Sequence, residues 1–185
     1  LVNNDRNVFG SCMLKNGDAD GMVTGVTRNY DVALQDAQMV LDPIPGQAVI
    51  GMSMVINRGK TVFIADTSVT ELPGGPELAD IAVEAARAVQ SVGFVPRVAF
   101  LSYSTFGNPM GERGEKVREA VAILDNMDGI EFEYEGDMAA DVALNPNHWM
   151  LYPFSRLSGP ANVLVMPAIH AASISTKLLE SMSRA

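Results

Sequence analysis

The chain has 185 residues, 48% hydrophobic and 19% charged, which supports a packed core and excludes a disordered or low-complexity chain. A formal net charge of -9, with the 13 Lys and Arg scattered, excludes a nucleic-acid surface, although a helix N-terminus or a local arginine still suits a small anion. The single cysteine, Cys12, sits inside an apolar run, excludes an internal disulfide framework or zinc cluster, and reads as a small buried hydrophobe. No run is long and apolar enough for a membrane span and the first six residues lack signal-peptide character, so a cytoplasmic protein with no membrane partner is expected. A start at Leu1 rather than Met hints at a piece of a longer protein.

In chain order, Val8 to Leu14 reads as a short strand, followed by the turn-rich Lys15 to Gly21 and a helical pattern from Asn29 to Leu41. Asp18 and Asp20 lack the further ligands of a calcium loop and read as turn residues. Ala48 to Ile56 and Thr61 to Ala65, joined by Asn57-Arg58-Gly59-Lys60, predict a hairpin. Pro76 to Val92 is the cleanest helix, with Pro76 in its first turn, Glu77 and Asp80 near the positive dipole end, and Gly93 ending it. Val98 to Leu101 reads as a strand buried on both faces. Arg113 to Met127 reads as a helix, Glu131 to Tyr134 as a strand, Asn162 to Met166 as a buried strand, and Ile169 to Met182 as a helix. Asn145 to Pro160, with Trp149 and Tyr152, is the one long irregular connection: a lid, an interface or a packed loop. Strands alternating with helices predict a single α/β domain over residues 1–185, a three-layer αβα sandwich whose mostly parallel mixed sheet contains one antiparallel hairpin.

In such sheets ligands gather where strands end and helices begin. Three junctions qualify: Asp66-Thr67-Ser68, Ser102 to Asn108, and Pro167 to Ser173. The polar groups Ser102, Ser104, Thr105 and Asn108, with Gly107, exceed what one helix cap needs, and both capping and ligand binding stay open. No dinucleotide glycine fingerprint and no phosphate loop occurs. A triad of Ser104, His170 and Asp141 can be written on paper, without the nucleophile-elbow motif that would support it.

The blocks "DADGMVTGVT", "VFIADTSV", "PELADIAVEAARAVQSVGFVPRVAFLSYST", "EGDMAADVAL" and "ANVLVMP" resemble, in order, the second domain of the phosphate acetyltransferase and butyryltransferase family, from about Val8 to Leu179. The resemblance implies a phosphotransacetylase or isocitrate dehydrogenase-like fold and coenzyme A in thioester form as ligand. Where active transacetylases resemble His-Ser-Thr followed by Arg-Pro-Ala-Leu, this chain has Arg28-Asn29-Tyr30 and Gln35-Asp36-Ala37-Gln38. Where the family resembles Pro-Asp-Leu-Asn-x-Gly-Asn, it has Pro167-Ala168-Ile169-His170-Ala171-Ala172-Ser173. Asp66 and Asp141 survive.

Tyr30, "GDM" at Gly136-Asp137-Met138, and "VLVMPAIHAASISTKLL" look like the transacetylase-like C-terminal domain of the large bacterial NADP-dependent malic enzymes. That resemblance implies a non-catalytic domain with acetyl-CoA as regulatory ligand. It also implies an N-terminal malic-enzyme domain that would carry NADP and a divalent metal, and a homo-oligomer formed through this domain. The residues expected to meet acetyl-CoA are Ser102, Ser104, Thr105, Gly107, Asn108, Asp141 and His170; no catalytic residue or metal ligand is assigned. The alternatives are a fragment of an active phosphate acetyltransferase, against which Gln35 and Ala168 weigh, and a structural module contacting neighbours through Asn145 to Pro160.

Overall fold

The computed structural model describes residues 4–183, with the side chains of 149, 150 and 183, and so the Trp149 ring, outside the described set. Two compact units, Leu1–Gly46 and Gln47–Ala185, are described each by itself.

The first unit holds α1 (Arg6–Asn16) and α2 (Tyr30–Gln38). The strand expected at Val8 to Leu14 is therefore helix. Asp5 sits at its N-cap and accepts the backbone N–H of Asn7 at 2.8 Å and of Val8 at 3.2 Å, while Gly17, at φ 77°, closes the other end. Asn7, Val8 and Ser11 are the buried positions, a helical spacing that the apolar composition of the run concealed. The second helix is shorter than expected and ends at Gln38 rather than Leu41.

The second unit begins with β1 (Met52–Asn57) and β2 (Lys60–Ala65), the expected hairpin. Then follow α3 (Gly75–Ser91), β3 (Arg97–Leu101), α4 (Glu112–Asp125), β4 (Glu133–Met138), α5 (Ala140–Leu144), a 3-10 turn (Pro146–Leu151), β5 (Val163–Val165) and α6 (Ile169–Ser183). The sheet order is β1-β2-β5-β3-β4, antiparallel only between β1 and β2. Right-handed crossovers that step outward from β2 to β3 to β4 place α3 and α4 on one face; the return from β4 to β5 must use the other. The cores follow this division. Phe63, Phe100, Val98, Val163 and Val165 pack with Leu78, Ile81, Val117 and Leu124 on the first face. Ile64, Ala99, Leu101, Leu164 and Met138 pack with Val142, Leu157 and Ala172 on the second. The result is the three-layer sandwich with a mixed sheet and one hairpin that the sequence predicts.

The fourth strand departs from expectation: it spans Glu133–Met138, not Glu131 to Tyr134. Ala99 pairs with Glu135 and Leu101 with Met138, so β4 carries one extra residue opposite Phe100, a β-bulge. Gly136 is required there, because a Cβ would lie 2.7 Å from Phe100 Cβ and 3.0 Å from the Phe100 carbonyl oxygen. Tyr134 packs on the first core and Met138 on the second although they stand four positions apart, which in a regular strand is the same face; the bulge reverses the alternation.

The connection from Asn145 to Pro160 is packed and tied down. Arg156 bonds Glu135 through its backbone N–H (2.9 Å) and guanidinium (3.2 Å), and Ser158 donates to Glu133 from its N–H (2.8 Å) and hydroxyl (2.9 Å). Tyr152 and Phe154 stack around Phe106 at centroid distances of 5.2 and 4.8 Å.

Candidate functional site

Four parallel strands, β2, β5, β3 and β4, end at the same rim of the sheet, and all seven expected ligand residues lie on the segments that leave it. The chain leaves β5 toward one face and its neighbours β2 and β3 toward the other, the topological position where open α/β sheets form a crevice.

The segment after β3 is the most structured of these. Thr105 and Asn108 exchange backbone hydrogen bonds of 3.0 and 3.1 Å, closing a tight turn through Phe106 (φ 49°) and Gly107 (φ 84°). Left-handed φ at both central positions is the reason for glycine at 107. Beneath it lies Asp137, fully buried. Its carboxylate accepts the Ser104 hydroxyl, the Gly107 N–H at 2.9 Å and the Arg118 guanidinium at 3.3 Å. Ser104 is also fully buried, and its Oγ lies 2.9 Å from Ser102 Oγ. Thr105 Oγ1 accepts the Ala139 N–H at 3.1 Å. Gly114, in the first turn of α4, lets that helix approach: a Cβ there would sit 2.8 Å from Ser104 Oγ. None of these side chains caps α4, whose N-cap is Gly111 without a side-chain bond. Ser104, and Ser102 through it, are thus tied to a buried carboxylate. The sequence shows Asp137 only as part of the Gly136-Asp137-Met138 motif, and nothing local to that motif marks it as the partner of Ser104.

The other expected residues are placed apart from this network. Asp141, exposed at the start of α5, lies 3.6 Å from His148 Nδ1, and His170, exposed at the start of α6, lies 3.8 Å from Glu71. Ser104, Asp141 and His170 therefore each have a different partner, and no triad forms. Asp66 is buried and structural: its carboxylate accepts backbone N–H groups of Gly51, Ser68, Val69 and Thr70 at 2.6–3.2 Å. Beside the α4 N-terminus a cavity of about 160 Å³ is lined by Leu72, Pro73, Pro167, Arg113 and Lys116 among others. Glu112 also lines it and lies 4.0 Å from Lys116 Nζ, whereas Arg113 makes no ion pair among the described residues and is the cation this cavity offers.

In the first unit, Arg28 is bound between Asp5 at 2.6 Å and Asp36 at 2.5 Å. Its hydrogen bond holds the Asp5 carboxyl below the ordinary aspartate value, and both carboxylates push the arginine up. Among the described residues no group of three His, Cys, Asp or Glu could hold a metal ion, and no helix is long and apolar enough to cross a membrane.

Comparison with known proteins places these features. The chain is 60% identical over 98% of its length to an NADP-dependent malic enzyme of Rhizobium meliloti (strain 1021), covering 24% of that protein. It is 43% identical over 99% of its length to a probable NADP-dependent malic enzyme of Rickettsia prowazekii (strain Madrid E), covering 25%. The chain thus spans about a quarter of the length of these relatives. A phosphotransacetylase from Streptococcus pyogenes superposes with a TM-score of 0.86 at 28% identity, over 96% of this chain and 55% of that one. The model of the phosphate acetyl/butaryl transferase family matches residues 1–185, and the chain belongs to that family.

Proposed function

We propose that this chain is an acetyl-CoA-responsive regulatory domain, without transferase activity of its own, in a protein of the malic-enzyme type. In that setting an N-terminal portion carries malate oxidative decarboxylation with NADP and a divalent metal, and this domain self-associates. The observation that carries the reading is Arg28. A phosphate nucleophile needs fixed positive charge. The resemblance expects an arginine where Gln35 stands, and the neighbouring Arg28 is neutralised by Asp5 and Asp36. The high identity to malic enzymes along the whole chain supports the same reading. Arg113 at the rim suits a phosphate of a coenzyme A thioester.

The test uses the full-length protein. Malate decarboxylation is expected to change on addition of acetyl-CoA, with no acetyl phosphate formed from acetyl-CoA and phosphate. Rapid acetyl phosphate formation refutes the regulatory reading in favour of a transferase.

A further inference from the structure

With Asp137 as a carboxylate beside Arg118, the hydrogen bonds around it constrain one another's direction. A carboxylate only accepts, so the single hydroxyl proton of Ser104 goes to Asp137. Ser104 then has no proton left for Ser102, and in the 2.9 Å contact between the two Oγ atoms Ser102 must donate. The Ser102 oxygen receives the Ser104 N–H at 3.3 Å on one lone pair. One lone pair remains, on a half-buried side chain at the end of β3. Ser102 therefore presents an acceptor and no donor. Thr105 differs: one lone pair of its oxygen receives the Ala139 N–H, and its proton has no partner among the described residues, so it keeps a donor where Ser102 has none.

We propose that Asp137, acting through Ser104, is a positioning residue that fixes Ser102 Oγ as an acceptor for a ligand N–H, so that this segment holds the amide-bearing arm of an acyl-CoA rather than its phosphates. The proposal rests on the acetyl-CoA reading above and names which part of that ligand meets which residue. A secondary amide offers one N–H and one carbonyl, matching the free acceptor of Ser102 and the free donor of Thr105. Phosphates offer acceptors only, so they could use the Thr105 proton but would leave the Ser102 lone pair unmet. Arg113, unpaired among the described residues, lies in the cavity beside the α4 N-terminus.

Asp137→Asn preserves shape and reverses the chain. The Gly107 N–H and the Arg118 guanidinium, which donate to different oxygens of Asp137, then compete for one carboxamide oxygen; where Gly107 keeps it, the carboxamide nitrogen faces Ser104 and donates to it. Ser104 then donates to Ser102, and Ser102 turns a proton toward the ligand N–H.

The experiment titrates acetyl-CoA, and separately adenosine 3′,5′-bisphosphate, into the full-length protein and its Ser102→Ala, Asp137→Asn and doubly substituted forms. Ser102→Ala is expected to weaken acetyl-CoA about five- to tenfold, one hydrogen bond's worth. Asp137→Asn should weaken it more, and adding Ser102→Ala to Asp137→Asn should recover part of the loss, because the misdirected proton is gone. The bisphosphate, which has no amide arm, should bind all four forms alike. Parallel loss of bisphosphate affinity, or additive losses in the double form, overturns the proposal and leaves Asp137 a structural residue. If Asp137→Asn fails to fold, Ser102→Ala still decides, since unchanged acetyl-CoA affinity refutes it. Should the unsubstituted protein bind no acetyl-CoA, the regulatory reading falls and this inference with it; binding that ignores the substitutions removes this inference alone.

Discussion

Gly136→Ala puts the bulge in β4 to a direct test. The new methyl group would lie 2.7 Å from Phe100 Cβ and 3.0 Å from the Phe100 carbonyl oxygen. Carbon atoms in contact prefer about 3.5–4.0 Å, so β4 must retreat by about 1 Å. Phe100 cannot yield instead: it is fully buried and paired to Val165 in the middle of the sheet. Overpacking of this kind costs about 1–3 kcal/mol, and a backbone obstacle places it toward the upper figure. At about 2–4 °C per kcal/mol for a chain of this size, the thermal midpoint should fall by about 5–10 °C. Circular dichroism melts measure this against Gly21→Ala, where a Cβ meets nothing within 4 Å. The control should stay within about 1 °C of the parent, as open surface sites do. A Gly136→Ala protein that melts with the parent shows that β4 has room opposite Phe100 and refutes the packing described.

The Asp5 and Arg28 contact makes α1 sensitive to acid. Hydrogen bonding to Arg28 depresses the folded-state value of Asp5, so its stabilisation is present above the ordinary aspartate range and is lost as pH falls through the depressed value. Backbone NMR signals of residues 6–16 should shift toward coil over that acidic window, and Asp5→Ala should remove the transition; an acid transition indifferent to the substitution contradicts the cap. At the far border of the sheet, burial acts to raise Asp125, but hydrogen bonds from Tyr134 and Arg156 outweigh it and hold the carboxyl below its ordinary range. Arg156→Met should let Asp125 titrate higher in a carboxyl-detected NMR series and cost about 1–2 kcal/mol in urea unfolding, discounted for the exposure of the guanidinium. An unmoved Asp125 titration refutes that account.

Much of the second unit was legible because its elements state themselves locally. Pro76, Glu77 and Gly93 punctuate α3, and the apolar run at Val98 has no polar face to hide. Val8 to Leu14 departs from the expected strand because Gly10, Ser11 and Cys12 are small enough to suit strand or helix, and the Asp5 cap and Gly17 closure favour the helix. The bulge was invisible for a different reason. Period-two alternation presumes a regular ladder, whereas the extra residue at Gly136 depends on contact with Phe100, thirty-six positions away in the chain. The same holds for the candidate site. Its serines stand out in sequence, but the carboxylate that commits their protons comes from another strand.

The two borders of the sheet differ in how they would treat a stray copy of the same chain. β4 presents Glu133 and Glu135, already engaged by Ser158 and Arg156, and charged side chains resist edge-to-edge addition. β1 presents an outer backbone edge with Met54 and Ile56 exposed beside it. Edge-to-edge addition is therefore expected at β1 rather than at β4. A second molecule joining through its own β1 would leave both sealed borders outward, and such growth terminates at a pair instead of propagating into a fibre.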